Sequence, residues 1–303
     1  MASGALTHVG ITALDLSGEP GPGAFERFYR QVTDRDDLPT IPEVARRLMM
    51  AVNKETTTAK QLAILLSRDQ ALTAKLLRLA NSAFFALARP VTDLSHAVSL
   101  LGFGAVRDLV MTLSLWGSLG DTDPITCKRR KALWMHCATV GAISKILAKK
   151  VGRMDAGEAL SAGLLHDVGK LLLGLRLGTT YWDMLDQAED AEINPVEVET
   201  EAFGVHHGVI GHHMLRLWGL PEVLCAAVSQ HHDALVLDGT VGVPEVVNAA
   251  NRLVHLMGPE HDEEAATLLT ALAPARLTAG MWPAIRQDVE AEQDQISGFF
   301  DYH

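Results

Sequence analysis

The sequence predicts an all-α protein, with an N-terminal helical bundle abutting a second helical domain. Three observations carry this reading. From Leu38 onward apolar residues recur at three- and four-residue spacing, the period of one face of a helix. The two-residue alternation of a half-buried strand is scarce. Helix-start chemistry is also present: Thr40 with Glu43, and Thr58 with Gln61, have the spacing at which two side chains satisfy each other's free backbone amides.

Residues 1–35 read as a leader, with a Gly/Pro cluster, SGEPGPG, ahead of a short amphipathic stretch from Ala24 to Val32. The N-terminal bundle occupies 36–122. It starts with helices near 41–52, 58–67 and 70–82, in which Leu72, Leu76, Leu79 and Ala83 form a stripe and Asn81-Ser82 close the last helix. A break at Arg89-Pro90 precedes a helix to Leu101, Gly102 serves as its C-terminal cap, and a longer apolar helix runs to about Leu119. The polar, proline-containing segment GDTDPIT, 120–126, marks the domain boundary. The second domain, 123–260, is expected to hold helices near 129–151, 156–175, 180–191, 195–217, 221–233 and 244–257. The tail, 261–303, is acidic with helical apolar spacing and is expected to pack back on the body.

Composition narrows the function. With 48% hydrophobic and 21% charged residues, the chain has the balance of an ordinary globule. A net charge of −11 argues against nucleic acid, since neutralising phosphates takes a concentrated basic surface; Lys128 to Lys131 read as a solvated helix start. Cys127, Cys137 and Cys225 show no C-x-x-C spacing, so neither a disulfide framework nor a zinc knuckle is indicated. No uninterrupted apolar run nears the roughly 18 residues of a membrane span. A cytoplasmic protein without a membrane partner is expected.

Eight of the thirteen histidines lie between His136 and His232. Imidazoles with carboxylates are the usual ligands of iron, manganese, zinc and similar divalent ions. His136 shares a stripe with Val140, Ile143 and Leu147 and should face the core. In LLHDVGK, 164–170, His166 and Asp167 are embedded in apolar residues, where burial is costly unless they share a cation or bond each other. HHGVIG, 206–211, supplies His207, and QHHDAL, 230–235, supplies His231 and His232. His212 and His213 read as solvated surface. A plainer alternative has the histidines satisfying one another in a polar core layer without metal.

The order His136, His166-Asp167 in an HDxGK context, His207, His231-His232 resembles the HD superfamily of metal-dependent phosphohydrolases. LPTIPEVARRLM, LLSRDQALTAKLLRLANSAFF and SHAVSLLGFGAVRDLVM resemble the N-terminal part of HDOD domains, the regulatory branch, from about Leu38 to about His232. The resemblance implies an HD-like helical domain after the bundle, and a signal-transduction role without catalysis. It also implies metal ligands at His136, His166, Asp167, His207 and at least one of His231 and His232, and a lysine, Lys170, that approaches phosphate in catalytic relatives. The pattern's last aspartate falls in VVNAANRLVH, where Asn251 is the nearest match; a neutral amide there keeps an oxygen donor but removes a charge. The expected partners are another signalling protein and a small phosphorylated ligand. The rival reading is an active phosphohydrolase acting on a nucleotide or phosphate ester.

Overall fold

Helices are the regular elements, and no strand occurs among the described residues. The computed structural model describes residues 43–52, 57–81, 91–117, 124–235, 241–272 and 277–297. The leader, Thr40, Ser82, Ala83 and Arg89-Pro90 lie outside them.

The bundle comprises α1 (Glu43–Val52), α2 (Ala59–Leu66), α3 (Gln70–Asn81), α4 (Leu94–Leu101) and α5 (Phe103–Gly117). Its starts and stops follow local chemistry. Thr58 and Gln61 form the reciprocal cap of α2. Asp93 accepts from Ser95 N and His96 N at the start of α4, and Gly102, at φ +81°, ends it. Asn81 reaches beyond its own helix end: its amide donates to Val91 O at 2.7 Å and accepts from Val91 N at 2.6 Å.

The second domain opens with the 28-residue α6 (Pro124–Val151), which starts inside the segment read as a boundary rather than near Lys128. Then come α7 (Ala156–Leu165), α8 (Val168–Leu177), α9 (Thr179–Asp190), α10 (Pro195–Phe203), α11 (His207–Leu217), α12 (Glu222–Gln230) and α13 (Val243–Leu253). Two expected helices are each divided. The one at 156–175 breaks at His166-Asp167, and the one at 195–217 breaks at Gly204–His206, where Gly204 takes φ +74°. Both breaks fall beside candidate ligands, so apolar periodicity ran on through positions where the chain actually turns. The tail supplies α14 (Asp262–Ala271) and α15 (Trp282–Ser297); α15 packs on α6 and buries Trp282, Ile285 and Val289.

One hydrophobic core runs from Leu48 through Leu109, Trp134, Leu160 and Leu224 to Val289, joining the bundle to the second domain, with α5 seated on α7. Around the histidines α6, α7, α8, α11, α12 and α13 pack on one another. Where α6 and α7 cross, a Cβ on Gly163 would stand 2.6 Å from Gly141 Cα, so these two backbones meet without side chains between them. No single described helix is long and apolar enough to cross a membrane.

Gly163→Ala is therefore expected to destabilise the protein by about 1–3 kcal/mol through overpacking. Gly104→Ala, on a helix with open space around the added methyl, should be neutral or stabilise by up to about 1 kcal/mol. Thermal unfolding of the two variants measures the contrast.

Candidate metal centre

The break between α7 and α8 places the first ligands. His166 takes the last helical conformation of α7 and Asp167 leaves it, at φ −99° and ψ 16°. At a helix end the last carbonyls have no amide partner, and His166 uses one: its Nδ1 donates to Gly163 O at 2.7 Å. The end of α12 repeats the device, with His231 Nδ1 donating to Val228 O at 2.7 Å. His207, the first residue of α11, is held from the other side by a carboxylate. Glu199 Oε2 accepts from His207 Nδ1 at 2.6 Å and from His207 N at 2.8 Å, while Glu199 Oε1 accepts from Tyr181 OH at 2.5 Å.

These partners fix tautomers. A carbonyl or carboxylate oxygen can only accept, so His166, His207 and His231 carry their hydrogen on Nδ1 and, when neutral, present the Nε2 lone pair inward. The three Nε2 atoms converge on Asp167 with those of His136 and His232. Two lobes result. In the first, His136 Nε2 and His166 Nε2 stand 3.1 Å apart, and 3.5 and 3.4 Å from Asp167 Oδ2. In the second, His207 Nε2 lies 3.1 Å from His231 Nε2 and 3.0 Å from His232 Nε2. Asp167 Oδ1 lies 3.1 Å from His207 Nε2 and 3.4 Å from His231 Nε2. Within each lobe the donor atoms are all within 4.8 Å of one another.

The fit to a cation can be tested on these atoms. Donors bound at 2.0–2.1 Å around a tetrahedral ion are about 3.3 Å apart, and the separations here run from 3.0 to 3.5 Å. Asp167 is fully buried, yet among the described residues its Oδ1 accepts no hydrogen bond. Two lone pairs and an unsatisfied carboxylate oxygen facing one another are unfavourable until a positive charge lies among them. The residues fit a divalent metal.

The electrostatics agree. Burial alone would raise the Asp167 pKa, but the Lys170 ammonium and the surrounding imidazoles overcome it and hold the carboxyl well below its ordinary value. Burial pushes His231 down to about 3. Burial and neighbouring imidazoles also lower His136 and His232, so these rings are neutral ligands near pH 7. His207 is the exception: burial opposes its charge, but Glu199 and Asp167 raise its pKa.

Each residue expected from the sequence can now be placed. His136, His166, Asp167, His207, His231 and His232 share the site. Lys170 donates to Asp167 Oδ2 at 2.8 Å. Asn251 is buried on α13, and no hydrogen bond joins it to the cluster among the described residues. Its neighbour Asn248 donates to Gln230 O and Asp233 O, clasping the turn that carries His231 and His232. His255 sets its ring 5.5 Å from that of His136. His206 is not a ligand in this arrangement, because its Nδ1 accepts from Gly208 N and the hydrogen of the neutral ring sits on Nε2. Neither His212 nor His213 is fully solvated; both are half-buried, and His212 Nδ1 donates to Cys225 O at 2.9 Å, tying α11 to α12.

Sequence reasoning missed Glu199 and Tyr181. A signal existed: Glu199 shares a helical face with Phe203, so a carboxylate was destined for the apolar side of α10, and both are buried. The HDxGK glycine also gains a reason. A Cβ on Gly169 would lie 1.9 Å from His207 O, so only glycine lets the first turn of α8 approach the His207 backbone closely.

Comparisons with known proteins agree with the helical fold. The family described as HDOD domain matches residues 38–234. An uncharacterized protein of Treponema pallidum (strain Nichols) is 27% identical over 209 residues, which is 68% of this chain and 40% of the relative; the chain thus spans well under half of that relative's length. Among solved structures, an HDOD domain protein of unknown function from Geobacter sulfurreducens superposes with a TM-score of 0.66 at 23% identity, covering 88% of this chain and 98% of its own. A Shewanella amazonensis SB2B protein provisionally named a phosphohydrolase gives 0.70 at 22%, covering 91% and 97%.

Asp167→Asn, which keeps the shape and removes the charge shared by both lobes, is expected to abolish tight metal binding. Glu199→Gln, which loosens only the support of His207, should weaken it by about ten- to a hundredfold. Competition with a chromophoric chelator measures both.

Proposed function

Because this chain belongs to the HDOD family, we propose that it is a signal-transduction module, regulatory rather than hydrolytic, whose His/Asp cluster holds a divalent metal ion. One observation carries the metal reading: the buried, unpartnered Asp167 Oδ1 faced by imidazoles whose lone pairs point at it. A bound dication supplies a positive charge and a Lewis acid to an anionic ligand oxygen. The chain's own groups do the rest. His136 and His232 are less buried than the other ligands, and with exposed His255 they form the rim through which a small phosphorylated ligand gains access. The helical exterior is the surface for a partner protein in the cytoplasm.

Two features support regulation over hydrolysis. Lys170, which would approach phosphate in a catalytic relative, is committed to Asp167. The position matching the last acidic ligand carries Asn251, which lowers the negative charge available to a dication. The near-complete donor set, five imidazoles around one carboxylate, favours the second reading, a metal-dependent phosphohydrolase acting on a nucleotide or phosphate ester.

Elemental analysis of the purified chain, followed by incubation with bis(p-nitrophenyl) phosphate, separates the readings. Bound iron, manganese or zinc without turnover is the expected result; sustained turnover would establish the hydrolase, and absence of metal would leave a polar core layer. Asn251→Asp is expected to tighten metal binding by adding a charge where screening is weak. Unchanged affinity in the same chelator competition would remove Asn251 from the site.

A further inference from the structure

The two lobes around Asp167 are not equivalent, and the difference lies in their hydrogens. In the lobe of His136 and His166, each polar atom that faces inward has a partner without metal. His166 Nδ1 donates to Gly163 O, leaving its Nε2 as an acceptor. His136 has no partner that fixes its tautomer, so it can donate from Nε2 across the 3.1 Å contact to His166 Nε2. The carboxylate oxygen of this lobe, Asp167 Oδ2, already accepts from the Lys170 ammonium at 2.8 Å. A cation is in place, supplied by the chain three residues after the aspartate.

With its imidazoles neutral, as metal ligands must be, the other lobe cannot be closed this way. His207 and His231 both spend their Nδ1 hydrogen elsewhere, on Glu199 and on Val228 O. His232 can donate one hydrogen to His207 Nε2, at 3.0 Å. After that donation the His231 Nε2 lone pair still has no hydrogen to meet, and Asp167 Oδ1 has no partner. The orphaned oxygen is the one on this side.

We propose that the site is mononuclear: a single divalent ion binds between Asp167 Oδ1, His207, His231 and His232, while Lys170 occupies the place of a second ion beside His136 and His166. This rests on the metal reading above and goes beyond it, because a dication in the first lobe would have to bind the oxygen that Lys170 holds and would meet its charge at close range. The same arrangement accounts for a nearly complete ligand set in a module without catalysis, since the lysine that could face phosphate instead fills half of the metal site.

The test is stoichiometry, read with Mn(II) on the full chain by elemental analysis after gel filtration and by electron paramagnetic resonance. The wild type should hold one ion per chain with the spectrum of an isolated Mn(II). Lys170→Met, similar in length and uncharged, should hold two with a spin-coupled spectrum. Lys170→Arg, which keeps a cation, should stay at one. His232→Ala should lower affinity for the single wild-type ion at least tenfold. Two ions in the wild type, or no second ion in folded Lys170→Met, would overturn the proposal while leaving the metal reading intact. No ion in the wild type would overturn both. If Lys170→Met does not fold, the wild-type stoichiometry and spectrum still decide.

Discussion

Everything in the second domain is arranged around the cost of burying one carboxylate. Asp167 has no exposed surface, and an isolated charge in such a place would give up its ionisation rather than stay. It stays ionised because Lys170 and a shell of imidazoles lie within hydrogen-bond or ion-pair distance. To assemble that shell, five helices must bring their ends or faces to one point, and two helix junctions must break where apolar periodicity would have carried on. The glycines at the crossings are a consequence of the same requirement, since side chains at Gly163 and Gly169 would hold apart the helices that deliver the ligands.

The sequence made the helical class legible, because period and capping chemistry are local properties. Thr58 with Gln61, Asp167 beside His166, and Gly102 can each be read within four residues. The candidate ligands were legible in a different way. His136, the His166-Asp167 pair, His207 and the His231-His232 pair lie far apart in the chain, and their clustering in sequence and resemblance to a known pattern grouped them before the fold did. What escaped was whatever depends on third parties. The division of 156–175 into α7 and α8 is decided by ligands at the break rather than by the apolar stripe on either side. Glu199 acquires its role from His207, eight residues away across a turn, and Tyr181 acquires its role from Glu199 in turn. His212 looked like surface because its partner, a carbonyl of α12, is invisible to any pattern within α11.

The histidines also show that counting donors is not enough to describe a site. Which nitrogen carries the hydrogen is set by the atom behind the ring. Gly163 O, Val228 O and Glu199 therefore decide which rings can ligate, and Gly208 N excludes His206, a neighbour with the same side chain. A site with the same residues and different backs would have different chemistry.

Consider finally the place where α8 meets α11. At Gly169 the chain lies directly against the His207 carbonyl, with no rotamer between them to yield. Contacts made through long side chains have slack, because a small displacement is absorbed by torsion before it reaches the neighbour. Main chain bearing on main chain has almost none. The spacing of α8 and α11 at this joint is therefore set by main-chain atoms alone, and only a residue without a side chain at position 169 keeps it.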